Sequence, residues 1–323
     1  MKLLSMFRHS RNDQPPAVPN FHVTLWPAFP HFSRFSRDKR VQGIRLNSAM
    51  MEASEIDGGF ESEVDRSTVP LWFDIKAMQL RIREVICDHH CDHLEFVANR
   101  PVAVETPCPV WFKAGEDCGK CVEIKDGTHF IFEGGPRYEV RKGESFHIRS
   151  PELAVGGPVF LDYEIEKIQK VVGMGFSRFY LSYVYDQKHV DEFRELVGQD
   201  AEVILKIENK WGLDWVADHW KPQHNVHLAA ARGDLYIEID YPHQILKACK
   251  LIIEKDPGAY VGSRMLLSLV NQPTPSCADF SDLGWLYEIG YRNFLLCDEL
   301  CLQENLLARA VNVFDAFRRE VTT

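Results

Sequence analysis

The chain has 323 residues, 45% of them apolar, which is enough for one large α/β domain or two domains with a substantial core. A net charge of −10 argues against a nucleic-acid binder, which would carry a basic face. No apolar run approaches the roughly eighteen residues needed to span a bilayer, so a soluble cytoplasmic protein without membrane or nucleic-acid partners is expected.

Residues 1–19 carry Lys2, Arg8 and Arg11 around the apolar pair Leu3-Leu4, too short for a signal-peptide core. With Gln14-Pro15-Pro16 and Pro19 they read as a disordered or extended tail. Strand-like runs follow at Phe21 to Leu25, Val41 to Asn47 and Val69 to Ile75. Ser48 to Thr68 is acidic and weakly patterned, so the early helices are expected to be short or irregular. Between Cys87 and Pro158 the period changes to two. Short strands are predicted at Pro101 to Glu105, Val110 to Phe112, Cys121 to Ile124, His129 to Phe132 and Tyr138 to Val140. Further strands are predicted at Phe176 to Val184, Glu202 to Ile207, Val226 to Ala231, Ala259 to Arg264 and Asn293 to Cys297. Amphipathic helices fit Val190 to Val197, Pro242 to Glu254, Asp279 to Ile289 and Asn305 to Glu320. Eight strands alternating with helices predict a (β/α)8 TIM barrel over residues 20–86 plus 159–323. A small all-β domain, residues 87–158, is inserted after strand three as a lid, with Gly156-Gly157-Pro158 as the returning hinge.

Nine cysteines, an odd count without a secretion signal, predict free thiols. Cys118-Gly119-Lys120-Cys121 and the run Cys87 to His93 could together supply four zinc ligands. The single CxxC and the absence of a repeated spacing in its partner favour incidental thiols and surface histidines.

The most informative chemistry lies in Leu205-Lys206-Ile207-Glu208-Asn209 and Ala231-Arg232-Gly233-Asp234-Leu235. Lys206 and Glu208, at i and i+2 of a strand, point to the same side of it. Asp234 arrives after the next strand. Glu208 and Asp234 could share one divalent cation, with Lys206 as a fixed positive charge beside it. Such parts move a phosphoryl group or stabilise an enolate. The same spacing also suits a solvated Lys–Glu pair and a turn-forming Gly-Asp.

In order along the chain, these blocks resemble the pyruvate kinase family. Gly43-Ile44-Arg45-Leu46-Asn47 is similar to its arginine-leucine-asparagine strand end, and Phe73-Asp74-Ile75-Lys76 with Arg81 to its aspartate-threonine-lysine segment. Leu205 to Asn209 and Ala231 to Leu235 resemble its lysine-isoleucine-glutamate-asparagine and alanine-arginine-glycine-aspartate-leucine blocks. Ser263-Arg264-Met265-Leu266 with Gln272-Pro273-Thr274-Pro275 resembles its threonine-glutamine-methionine-leucine strand and proline-rich loop. The resemblance implies a short, divergent member without the C-terminal regulatory domain. It implies Mg2+ or Mn2+ on Glu208 and Asp234, and Lys206 neutralising the phosphoryl group and then the enolate. Arg45 and Arg81 would meet phosphate oxygens, and Ser263 keeps a hydroxyl where the family has threonine. Gly233 and Asp234 would hold the substrate carboxylate on their backbone N–H groups at a helix start, with Ala231 and Arg232 in the same substrate-binding block. The substrate implied is phosphoenolpyruvate, pyruvate or a related 2-keto acid, and a homo-oligomer is expected.

The departures matter as much. Asn47 and Asp74 remain from the monovalent-cation site, but Ala49 and Ile75 replace a serine and a threonine, a deficit for K+. Gln79 stands near the charge that governs potassium need, and Met50 replaces a histidine near the nucleotide. Cys297-Asp298-Glu299-Leu300 replaces serine-glycine-glutamate-threonine. Nucleotide binding is therefore left open. Three readings follow: a pyruvate-kinase-like phosphotransferase; a metal-dependent 2-keto acid lyase, aldolase or decarboxylase working through an enolate; and a non-catalytic metabolite binder.

Overall fold

The computed structural model describes residues 18–88 and 93–322. The tail expected at residues 1–19 lies almost wholly outside them, as do His89, His90, Cys91 and Asp92 of the cysteine–histidine run. Three strands open the fold, β1 (Asn20–Thr24), β2 (Gly43–Asn47) and β3 (Leu71–Ile75). Eight come next from the insert: β4 (Ile82–Cys87), β5 (Glu95–Ala98), β6 (Val102–Ala103), β7 (Cys108–Phe112), β8 (Asp117–Lys125), β9 (His129–Glu133), β10 (Phe146–Ile148) and β11 (Ala154–Val155). The remaining five are β12 (Arg178–Leu181), β13 (Glu202–Ile207), β14 (Val226–Ala231), β15 (Tyr260–Gly262) and β16 (Asn293–Leu295).

β1, β2, β3 and β12 to β16 close in chain order into a parallel eight-stranded barrel, as the alternating pattern predicts. Its strands are buried on both faces, which is why they read as near-continuous apolar runs. On β13, Val203, Leu205 and Ile207 join the large core beneath the helices, whereas Ile204 packs inside the barrel with Trp72, Tyr180, Ala229 and Leu295. Lys206 shares the inward phase of Ile204. The period-two phase of one strand thus decides which residues the barrel mouth receives.

The predicted helices form, at Gln187–Val197, Ile245–Lys255, Cys277–Glu288 and Glu304–Thr322. The early ones are short, Phe32–Phe35 and Gly58–Val64. Two helices lacked a clear sequence signal, Asp162–Gly173 and Lys210–Asp218, whereas Arg232–Glu238 begins where the resemblance implies a helix start.

The insert is a six-stranded antiparallel sheet in the order β10-β7-β8-β9-β5-β4 with a small β11-β6 pair, around an aromatic core that includes Phe96, Phe112, Phe130, Phe132 and Phe146. Its first strand, Ile82–Cys87, precedes the point where the sequence changes period. Tyr138 to Val140, expected as a strand, is not one; β10 carries the return instead. Fully buried Arg100 ties the two crossings together, donating to the carbonyls of Ala77 at the outward crossing and of Pro158 and Val159 at the return. Seven cysteines of the described residues are free, while Cys87 is disulfide-bonded, against the expectation of free thiols throughout. Cys118 and Cys121 lie on β8, whose register sets Cys121 opposite Cys108. No helix among the described residues is long and apolar enough to cross a membrane.

Candidate active site

The C-terminal ends of the barrel strands surround a cavity of about 470 Å³ whose walls include Arg45, Lys206, Glu208, Asp234, Ser263 and Asp298. This is the end of the barrel where strand-end side chains converge on a substrate. The insert covers one side of it with Lys113 and Ser145.

Asp74 is the electrostatic centre. It is fully buried, and its Oδ2 accepts from Arg45 Nε at 2.6 Å and Lys76 Nζ at 2.7 Å, while Oδ1 accepts from Ser182 Oγ at 2.9 Å. Burial alone would raise its pKa, but Lys206, Lys76 and Arg45 outweigh that and hold it far below the carboxylate range. Lys206 Nζ donates to Ser182 Oγ at 2.9 Å and meets Glu208 Oε1 at 2.8 Å. Burial opposes its charge, yet Asp74 and Glu208 raise its pKa above the ordinary lysine value. Lys206 is therefore a fixed ammonium at the cavity wall. Lys76 differs: burial dominates and pulls it down to about 7.

Glu208 and Asp234 come from the ends of neighbouring strands. Glu208 Oε2 accepts from the Tyr183 N–H at 2.9 Å, and Gln79 Nε2 lies 3.3 Å from Asp234 Oδ2. Burial first, and then nearby Asp234, pushes Glu208 up to about 7. Asp234 stays well below its ordinary value because His147 and Lys206 overcome its burial. Two neighbouring carboxylates, Glu208 buried and Asp234 partly so, that cannot both ionise freely are a donor set that a cation between them would stabilise. The residues fit a divalent metal in that respect. Among the described residues no group of three or more His, Cys, Asp or Glu is arranged to hold one. Substrate and water oxygens would have to complete the shell.

The residues expected to face phosphate and potassium are engaged internally. Arg45 Nη1 meets Asp298 Oδ1 at 2.5 Å and Thr24 Oγ1 at 3.0 Å, in addition to Asp74. Asn47 Nδ2 donates to Asp298 Oδ2 at 2.8 Å, and its Oδ1 accepts from the Ala49 N–H. Arg81 donates to Gln79 Oε1 and to the Gly143 carbonyl of the insert. Arg232 forms a two-pronged pair with Asp282 at 2.6 and 2.8 Å and donates to the Ser263 carbonyl. Its guanidinium fixes the loop after β15 rather than lining the cavity.

Gly233 and Asp234 lie in the first turn of the helix Arg232–Glu238, where N–H groups have no intrahelical partner. A Cβ on Gly233 would come within 3.2 Å of Ser263 Oγ, so the glycine lets the two loops approach. Ser263, Arg264 and Leu266 all have positive φ (66°, 61° and 56°), backbone strain concentrated at the cavity rim.

Three participants escaped the sequence reading. Ser182, just past the end of β12, could have been found as a polar residue at a strand end. His147 and Tyr183 carry no local signature. His147, from β10 of the insert, has Nε2 3.3 Å from Asp234 Oδ1 and Nδ1 2.8 Å from Glu238 Oε1. Burial disfavours its charge, but Asp234 and Glu238 raise it to about 10.

Comparison with known proteins supports distant kinship with pyruvate kinase homologues. A pyruvate kinase of Agrobacterium vitis is 35% identical over 130 residues, 38% of this chain and 26% of that protein. A pyruvate kinase of Methanocaldococcus jannaschii is 21% identical over 259 residues, 76% of this chain and 56% of that protein. One from Thermoplasma acidophilum is 34% identical over 123 residues, 36% of this chain and 22% of that protein. The chain thus spans between about a quarter and just over half of these curated relatives. No family model matches it.

Proposed function

We propose that the protein is a pyruvate-kinase-like phosphotransferase acting on phosphoenolpyruvate or pyruvate with a divalent metal. The observation that carries this reading is the Lys206 ammonium held between Ser182, Glu208 and Asp74 at the wall of the cavity that Glu208 and Asp234 also line. Glu208 and Asp234 would hold Mg2+ or Mn2+, which when bound polarises carbonyl and carboxylate oxygens. Lys206 would neutralise charge on the transferring phosphoryl group and then on the enolate oxygen. The backbone N–H groups of Gly233 and Asp234 would orient the carboxylate, and Ser263 would offer its hydroxyl to the reacting carbon's side of the ligand.

A second reading, enolisation of a 2-keto acid by a lyase, aldolase or decarboxylase without a nucleotide, is favoured by one observation. Arg45 is already paired with both Asp74 and Asp298, so less of its charge is left for a phosphate. Incubation with phosphoenolpyruvate, ADP and Mg2+ separates the two. Pyruvate and ATP formation supports the first. No nucleotide turnover, with oxaloacetate decarboxylation in the same buffer, replaces it with the second.

A further inference from the structure

His147 belongs to the insert, yet its ring reaches into the barrel mouth and is 1% exposed. Asp234 and Glu238 are four residues apart on one helix and so share a face. Both carboxylates converge on this imidazole, Glu238 Oε1 hydrogen-bonded to Nδ1 at 2.8 Å and Asp234 Oδ1 in ion-pair contact with Nε2 at 3.3 Å. The Tyr183 hydroxyl stands 3.0 Å from Nδ1, while the Tyr183 backbone N–H holds Glu208 Oε2. His147 therefore touches one carboxylate of the proposed metal pair and the residue that supports the other. Gln79 lies by the opposite oxygen of Asp234, so that carboxylate is gripped from two sides. The insert grips the same short helix again through Arg149 Nε, which donates to the Ile237 carbonyl at 2.8 Å. Gly115 of the insert also faces Ile237 so closely that a Cβ there would lie 3.1 Å from the Ile237 side chain.

We propose that His147 is a positioning residue through which docking of the inserted domain sets the orientation of Asp234 and so the divalent-cation affinity of the barrel. The proposal rests on the metal reading above. Side chains that orient a metal's ligands typically change affinity about 10- to 100-fold when removed. A neutral donor at this position keeps the orienting contact, and an apolar residue of similar size does not.

The test is Mn2+ binding to the full chain by calorimetry, comparing wild type, H147Q, H147L and, as a control, E208Q. The two His147 variants lose the same charge, so their difference isolates the polar contact that the residue at this position offers to Asp234. H147L should bind Mn2+ at least about tenfold more weakly than H147Q. Equal affinities for the two, with wild type binding and E208Q not, overturn the positioning role and leave the metal reading intact. A wild-type protein that does not bind Mn2+ removes both. If H147L does not fold, Tyr183→Phe decides: a threefold or greater loss of affinity supports the proposal, and unchanged affinity overturns it.

Discussion

Lys206 on β13 and Glu208 just past its end stand two residues apart, and their side-chain ends meet 2.8 Å apart at the barrel mouth. The pair is nearly closed to water, so each charge depends on the other and on Asp74. Replacing Lys206 with Met removes the one ammonium in contact with both Glu208 and Ser182. Its loss should lower kcat by about 100- to 1000-fold, the usual cost of deleting a preorganised charge donor. Lys206→Arg should retain more activity than Lys206→Met. Steady-state kinetics on folded variants check both, and equal activity of wild type and Lys206→Met contradicts the assignment.

Asp298 predicts independence from potassium. Its carboxylate takes the Arg45 and Asn47 side chains, and Asp74 is already met by Arg45 and Lys76. Protein donors, the cations Arg45 and Lys76 and the neutral Asn47 and Ser182, thus occupy the oxygens that a monovalent ion would need. Exchanging K+ for a tetraalkylammonium salt at constant ionic strength should change turnover less than about twofold, since no fixed ion pair has to be rebuilt. Asp298→Gly should weaken thermal stability, because Arg45 would lose a partner while remaining buried.

The barrel floor supplies a pH prediction. His22 is buried beside Trp72 and Tyr260, with Nδ1 2.8 Å from the Tyr180 hydroxyl. Burial lowers its pKa from 6.5 to about 3. Between those values the unfolded chain binds the proton and the folded one does not. The stability contribution is thus complete above pH 6.5 and is lost as pH falls, at up to about 1.4 kcal/mol per pH unit. In chemical denaturation from pH 7 to 4.5, His22→Gln should show a shallower decline than wild type. Parallel slopes would show that His22 is not buried in its neutral form.

Gly212 predicts a packing limit next to the site. It lies in the helix Lys210–Asp218, which Asn209 caps through Oδ1 at 2.8 Å from the Gly212 N–H. A Cβ here would sit 2.2 Å from the Val184 carbonyl oxygen, a backbone atom that cannot swing aside. Gly212→Ala should cost about 1–3 kcal/mol, typical of overpacking, and lower Tm by several degrees. A neutral effect would mean that the helix and the segment after β12 are further apart.

The barrel was legible in the sequence because strands buried on both faces leave continuous apolar runs, and Lys206 with Glu208 was legible because period two needs only local spacing. The helix Arg232–Glu238 follows β14 directly and Ala231 provides no side-chain cap, so its start is marked by the family resemblance and not by a local signal. In the insert, β10 was hidden in a charged stretch, and Tyr138 to Val140 has the alternation of a strand without a partner to pair with. The rest of the site depends on distant contacts. His147 and Glu238 are 91 residues apart, Ser182 and Asp74 are 108 apart, and Arg45 and Asp298 are 253 apart. Asp298 was visible as a substitution, but its capture of Arg45 follows only once the barrel closes β1 against β16.

Both enzymatic readings share enolate chemistry at Lys206 and the Glu208–Asp234 pair. The most direct measurement is exchange of pyruvate methyl protons for deuterium, followed by NMR in D2O with Mg2+ and either ATP or no nucleotide. Wild type should exchange in at least one of these conditions, and Lys206→Met and Glu208→Gln should exchange at least about 100-fold more slowly, by loss of charge stabilisation at the enolate. Absence of exchange by folded wild-type protein in both conditions, or equal exchange by the variants, would rule out enolate chemistry at these residues.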